Sequence, residues 1–157
     1  KWAGATVVAT ASTPERQEVA RQAGADFVFD YRDPDIIYDI REAVGSVDRI
    51  IEVNLSANLE MDLEVSKPDT VVVVYASTGA DIQIPTRQLM TAGLVLEFML
   101  LYTVAADKLA TAVSQVESAL AEGALTMPPV RYFELDDIVS AHETQEAGAP
   151  SRLVIRL

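Results

Sequence analysis

Short unbroken apolar runs alternate along this chain with stretches in which apolar residues recur at helical spacing. Ala5–Ala11 is a β-branched apolar run, and Thr13-Pro14 after it offers an N-cap followed by proline at the first helical position. That is a strand entering a helix. The helix turns Val19, Ala20 and Ala23 inward and stops at Gly24, and a short strand follows at Asp26–Phe29. The unit then repeats, with Asp33 and Pro34 capping a helix that carries Ile36, Ile37, Ile40 and Val44, Gly45 ending it, and a strand at Arg49–Val53. In the third round residues 57–66 read as helix, Lys67-Pro68-Asp69 as a turn and Val71–Val74 as an apolar strand of the kind a sheet covered on both faces requires. A loop around Ser77–Asp81 leads to a helix near Thr86–Ala92, a strand at Leu94–Met99 and a long amphipathic helix from about Ala105 to Glu122, closed by Gly123. A strand at Val130–Phe133, a helix near Asp136–Ala147 and a strand at Leu153–Leu157 complete the pattern.

Strands and helices alternating through short loops predict an α/β fold, a Rossmann-like doubly wound arrangement with a mainly parallel sheet and helices on both faces. Such folds bind a dinucleotide through a strand, a glycine-rich turn and a helix, because only glycine lets the backbone and helix N-terminus approach the pyrophosphate. The seven glycines here, at 4, 24, 45, 79, 93, 123 and 148, are too far apart to build that turn. Lys1–Ala5 reads instead as the tail of the helix that follows it, so the first strand and glycine loop are expected to be missing. Because that strand is central in the usual order, its absence predicts a gap within the sheet.

Composition narrows the chemistry. The 157 residues suit one compact folding unit, and no apolar run approaches the roughly 20 residues of a membrane helix. With no cysteine and a single histidine, a thiolate nucleophile is excluded and a zinc site lacks its usual ligands. The lack of disulfides and of a signal-peptide pattern points to the cytoplasm. A net charge of -12, spread along the chain, argues against nucleic acid and anionic lipid as partners.

Three stretches carry a family resemblance. Gly4-Ala5 through Thr10-Ala11-Ser12-Thr13, with Gln22-Ala23-Gly24-Ala25 and Asp30-Tyr31-Arg32, is the first. Ile50-Ile51-Glu52-Val53 with Asn58-Leu59 and Asp62-Leu63 is the second, and Phe133–Val139 followed by Ala141-His142-Glu143 is the third. Together they resemble the medium-chain dehydrogenases and reductases, and within them the zinc-free quinone oxidoreductases that resemble zeta-crystallin. The third phrase identifies the superfamily more firmly than the subfamily. The resemblance implies that residues 1–157 are a partial dinucleotide-binding domain with a C-terminal tail, without the N-terminal catalytic domain. It also implies NADPH as cofactor and hydride transfer to a quinone or an α,β-unsaturated carbonyl.

An acidic residue after the second strand of such a domain binds the adenosine ribose hydroxyls and repels a 2′-phosphate. Here Ser12 and Thr13 stand there, with Arg16 one turn into the helix, a set that suits a phosphate. Equally, Thr13 can act only as a cap and Arg16 only as a solvated charge. Tyr31 matches a residue at the adenosine end of the cofactor, or belongs to an ordinary polar loop. By resemblance Asn58 lies near the cofactor ribose, Val74, Tyr75, Ala76 and Ser77 along the nicotinamide half, and Met99, Leu100 and Leu101 beside the carboxamide through their backbone. Tyr75 replaces a glycine of the zeta-crystallin pattern. The strand within 94–98 is implied to pair across a two-fold axis and make a homodimer.

His142, on a helix away from the strand ends, is read as structural, and Asp136-Asp137 as helix-capping acids rather than a catalytic pair. No catalytic residue and no metal ligand is assigned. The rival readings are a non-catalytic structural or dimerisation module of the same fold, and another medium-chain reductase such as an alcohol dehydrogenase or enoyl reductase.

Overall fold

A computed structural model describes residues 1–79 and 81–157. The chain divides into two compact units, one made of Lys1–Tyr31 and Ser118–Leu157, the other of Arg32–Glu117. None of the described helices is long and apolar enough to cross a membrane.

The first unit opens with a turn in which Gly4 N–H bonds the Lys1 carbonyl at 2.9 Å. Strand β1 (Val8–Thr10) runs parallel to β2 (Phe27–Phe29), joined by α1 (Pro14–Gln22). Thr13 has the extended backbone of an N-cap, and its Oγ1 accepts the Arg16 N–H at 3.3 Å. Asp26 ties the entrance of β1 to that of β2: it accepts the Val7 N–H at 2.8 Å and pairs with the Lys1 ammonium at 2.7 Å. Further along the chain β6 (Val130–Glu134) and β7 (Arg152–Arg156) form a second parallel pair, connected by α6 (Ile138–Glu146), which buries Ala141.

The second unit holds a parallel sheet in the order β3-β4-β5, built from Val47–Glu52, Ser66–Val74 and Val95–Phe98. Helices α2 (Ile36–Val44), α3 (Leu55–Val65) and α4 (Thr86–Ala92) accompany it. Its core is Leu55, Val72 and Val74, against which Ile50, Leu59, Ile82, Leu94 and Leu96 pack. The valine run is unbroken because the strand is covered on both faces. Gly93 ends α4 in the left-handed region at φ 62°, and its carbonyl accepts the Asp69 N–H at 3.1 Å. Helix α5 (Ala106–Ala121) crosses from one unit's residues to the other's, and its apolar positions Leu109, Val113, Val116 and Leu120 stay 39–51% exposed.

Among the described residues the strands form three parallel sheets, in keeping with the break expected within the sheet. Every ladder among the described residues is parallel, as expected of this fold class. Lys67-Pro68-Asp69 is not a free turn but part of β4: the register jumps from Val47↔Ser66 to Arg49↔Val71, and Asp69 takes φ 68°. Thr70 holds this bulge, because its buried hydroxyl donates to the Val47 carbonyl at 2.6 Å and accepts from Lys67 N–H at 3.1 Å. The second helix starts at Ile36, two residues after Pro34, and Asp33 caps the preceding turn by accepting the Asp35 N–H at 2.9 Å. Of the loop expected at Ser77–Asp81, residue 80 lies outside the described residues.

Candidate functional site

Parallel strands end together, so whatever follows β3, β4 and β5 is brought to one edge of the sheet. The chain extends each ladder by one bond: Tyr75 N–H reaches the Glu52 carbonyl at 3.2 Å, and Met99 N–H reaches the Val74 carbonyl at 2.9 Å. Beyond these bonds the segments diverge around a cavity of about 470 Å³. The end of β3 and start of α3 give it Asn54, Leu55 and Ser56, the end of β4 gives Val74, Tyr75, Ala76, Ser77 and Thr78, and the end of β5 gives Phe98, Met99 and Leu100.

Six residues singled out from the sequence therefore share one cavity: Val74, Tyr75, Ala76, Ser77, Met99 and Leu100. Leu101 stands just outside it at the start of a 3-10 turn, 58% exposed. Asn58 is also not among the cavity walls. It lies in the first turns of α3, where its amide donates to both oxygens of Glu52, at 3.0 and 3.2 Å.

Glu52 and Asp62 are site features that the sequence reading left without a role. Glu52 ends β3, is 3% exposed and accepts a short hydrogen bond from Asn54 N–H as well as the Asn58 amide. Asp62, on α3, is 1% exposed, and its Oδ2 has no hydrogen-bond partner. Burial first, then the charge of Glu52 and a hydrogen bond with its carboxyl, push Asp62 from 3.8 up to about 7. A signal for both existed in the pattern. Glu52 follows Ile50 by two along a strand, and Asp62 shares the helical face of Leu55 and Leu59, so both were on inward positions.

The other predicted residues belong to the first unit. Ser12, 9% exposed, and Thr13 follow β1. The Thr13 hydroxyl oxygen caps α1, while Arg16 Nη2 donates to the Gly148 carbonyl at 3.0 Å. Tyr31 is half exposed at 51%. His142 is exposed on α6.

Residues 1–118 match the sequence profile of a family described as zinc-binding dehydrogenase. Over 158 aligned residues the chain is 28% identical to a quinone oxidoreductase of Sus scrofa, covering 98% of this chain and 48% of that protein. An alcohol dehydrogenase of Cupriavidus necator is 28% identical over 144 residues, with 88% and 38% covered. Among solved structures, a quinone oxidoreductase of Pseudomonas syringae superposes with a TM-score of 0.82 at 20% identity, covering 99% of this chain and 51% of that one. The chain thus spans about half the length of the quinone oxidoreductases it matches. The donor set does not fit the zinc of the profile's description: there is no cysteine, one histidine, and no group of three or more ligating side chains among the described residues.

Proposed function

Because the chain belongs to the zinc-binding dehydrogenase family, we propose that it is the cofactor-binding part of an NADPH-dependent oxidoreductase that acts on a quinone or an α,β-unsaturated carbonyl. The observation that carries this reading is the cavity beyond β3, β4 and β5, at the strand ends where doubly wound folds take their ligands. When bound, the nicotinamide supplies the hydride. This chain's part is position. The ladder bonds at Tyr75 and Met99 fix the backbone that the nicotinamide end would meet, and Val74, Leu100 and the Tyr75 ring would give it an apolar wall. Asn58 acts on the ribose side through its neighbours, and Leu101 extends the apolar rim.

NADPH is preferred to NADH in this reading because Ser12, Thr13 and Arg16 follow β1 in place of an acidic residue, and Tyr31 would serve the adenosine end. Strand β5 is an edge of its sheet with Val95 and Phe98 exposed, which supports a homodimer formed by pairing that edge with a second copy. A cysteine-free chain also suits the reducing cytoplasm.

One observation favours a second reading, a non-catalytic module of this fold: the Thr13 hydroxyl and the Arg16 guanidinium already have protein partners. Fluorescence titration with NADPH and NADH separates the two. The cofactor reading expects NADPH to bind about tenfold tighter than NADH, a margin of about 1.4 kcal/mol, and Arg16→Glu to erase the difference. Binding of neither nucleotide favours the module.

A further inference from the structure

Glu52 and Asp62 bring two carboxyl groups into the interior of the second unit, and the cations on neighbouring elements are paired elsewhere or exposed. Arg41 on α2 pairs with Glu64 at 3.0 Å, Lys67 on β4 pairs with Asp48, and Arg49 on β3 and Arg87 on α4 are exposed. Glu60 and Glu64, the other acids of α3, face solvent. Glu52 is thus the charge that acts on Asp62. Two ionised carboxylates buried together without a cation are strongly disfavoured, whereas one proton between them leaves a single negative charge with hydrogen bonds to spread it.

That charge has work to do at the cavity. Glu52 receives the Asn54 N–H and the Asn58 amide, and Asn54 is itself a cavity wall. The turn from β3 into α3 is therefore held by one carboxylate, while the Asn54 side chain does not cap the α3 backbone and its Oδ1 accepts the Ser56 hydroxyl, at 2.9 Å.

We propose that Glu52 is a positioning residue for the cavity, fixing Asn54 and Asn58, and that Asp62 holds Glu52 in place by sharing one proton with it. This rests on reading the cavity as the cofactor site. With the proton present, Asp62 donates to Glu52 and the turn is held. With it lost, two like charges face each other, Glu52 is driven from its partners and the Asn54 wall loosens.

The test is nuclear magnetic resonance of the whole labelled chain from about pH 5 to 9, paired with NADPH titrations at the same pH values. The Asp62 carboxyl carbon is expected to titrate near 7, with the Asn54 backbone amide and Asn58 side-chain amide shifting at the same midpoint. NADPH affinity is expected to fall about tenfold above it. Asp62→Asn keeps a neutral donor beneath Glu52, so both amides should become independent of pH while binding persists. Glu52→Gln should displace both amide signals and weaken NADPH about tenfold in a chain whose core signals stay dispersed. Amides that ignore the Asp62 titration, or an Asp62→Asn variant that keeps the pH dependence, overturn the proposal. Co-titrating amides in a chain that binds no NADPH support the positioning of Asn54 and refute the cofactor reading instead.

Discussion

Raising the pH should destabilise this protein across a window set by one side chain. Asp62 binds its proton up to about 7 in the folded chain, against 3.8 as its ordinary value. Between these values the folded state carries one proton more than the unfolded state, so stability falls as pH rises, at about 1.4 kcal/mol per pH unit, and the contribution is gone above the folded value. Raising the carboxyl from 3.8 to about 7 sets an upper bound of about 4 kcal/mol. Allowing for screening by water that relaxes around the pair, about 2 kcal/mol is the expected loss between pH 5 and 8. The assay is urea unfolding followed by circular dichroism at each pH, for the native chain and Asp62→Asn. The native midpoint should drop steadily over this range and the variant's should stay level. Equal midpoints for the native chain at pH 5 and 8, or parallel slopes in the two proteins, would refute the assignment of the proton to Asp62.

Other expectations follow from single contacts. Asp26 is held below its ordinary value chiefly by the hydrogen bond from Lys1, then by Val7 N–H, so its contribution is complete above 3.8 and is lost as pH falls below that; Lys1→Gln should remove part of the acid-side loss in the same melts. Thr13→Ala deletes the α1 cap and should cost about 1 kcal/mol in urea unfolding. At Asp69, which sits at φ 68°, a change to Gly should be neutral or stabilising, whereas Asp69→Val should cost about 1–2 kcal/mol. The proposed pairing of β5 with a second copy expects the native chain to sediment as a dimer and Phe98→Glu, on the exposed edge strand, as a monomer in analytical ultracentrifugation; a monomeric native chain or an unchanged mass in the variant would contradict it.

Local structure was legible where one physical cause dominates. Helix α4 covers Thr86–Ala92 as the pattern predicts, because a glycine stops it, and four consecutive valines leave little choice but a covered strand. The cavity residues were legible through a family resemblance that topology then explains, since strand ends in a parallel sheet must converge. Ladder pairing was not legible, because apolar patterning says which faces are buried but not which strand supplies the next ladder. The bulge at Lys67–Asp69 looked like a turn for the same reason: its hold on β3 comes from the Thr70 hydroxyl, a contact made 23 residues away in sequence. Asn58 resembles a family position near the ribose, and its bond to Glu52, six residues back on another element, is not readable from that resemblance. Helix α5 has the amphipathic pattern of a packed helix, yet its stripe is half exposed, so periodicity marked a surface fit for burial rather than a buried one.

A chain that holds a nicotinamide nucleotide, with the proposed preference for the one bearing the 2′-phosphate, is stabilised by that nucleotide in a thermal melt with NADPH, with NADH and with neither. At a hundredfold excess over the dissociation constant a working site adds about 2.7 kcal/mol, which for a chain of this size raises the melting temperature by roughly 5–10 °C. That rise is expected with NADPH and a smaller one with NADH; identical melts in all three samples would mean that no such site exists.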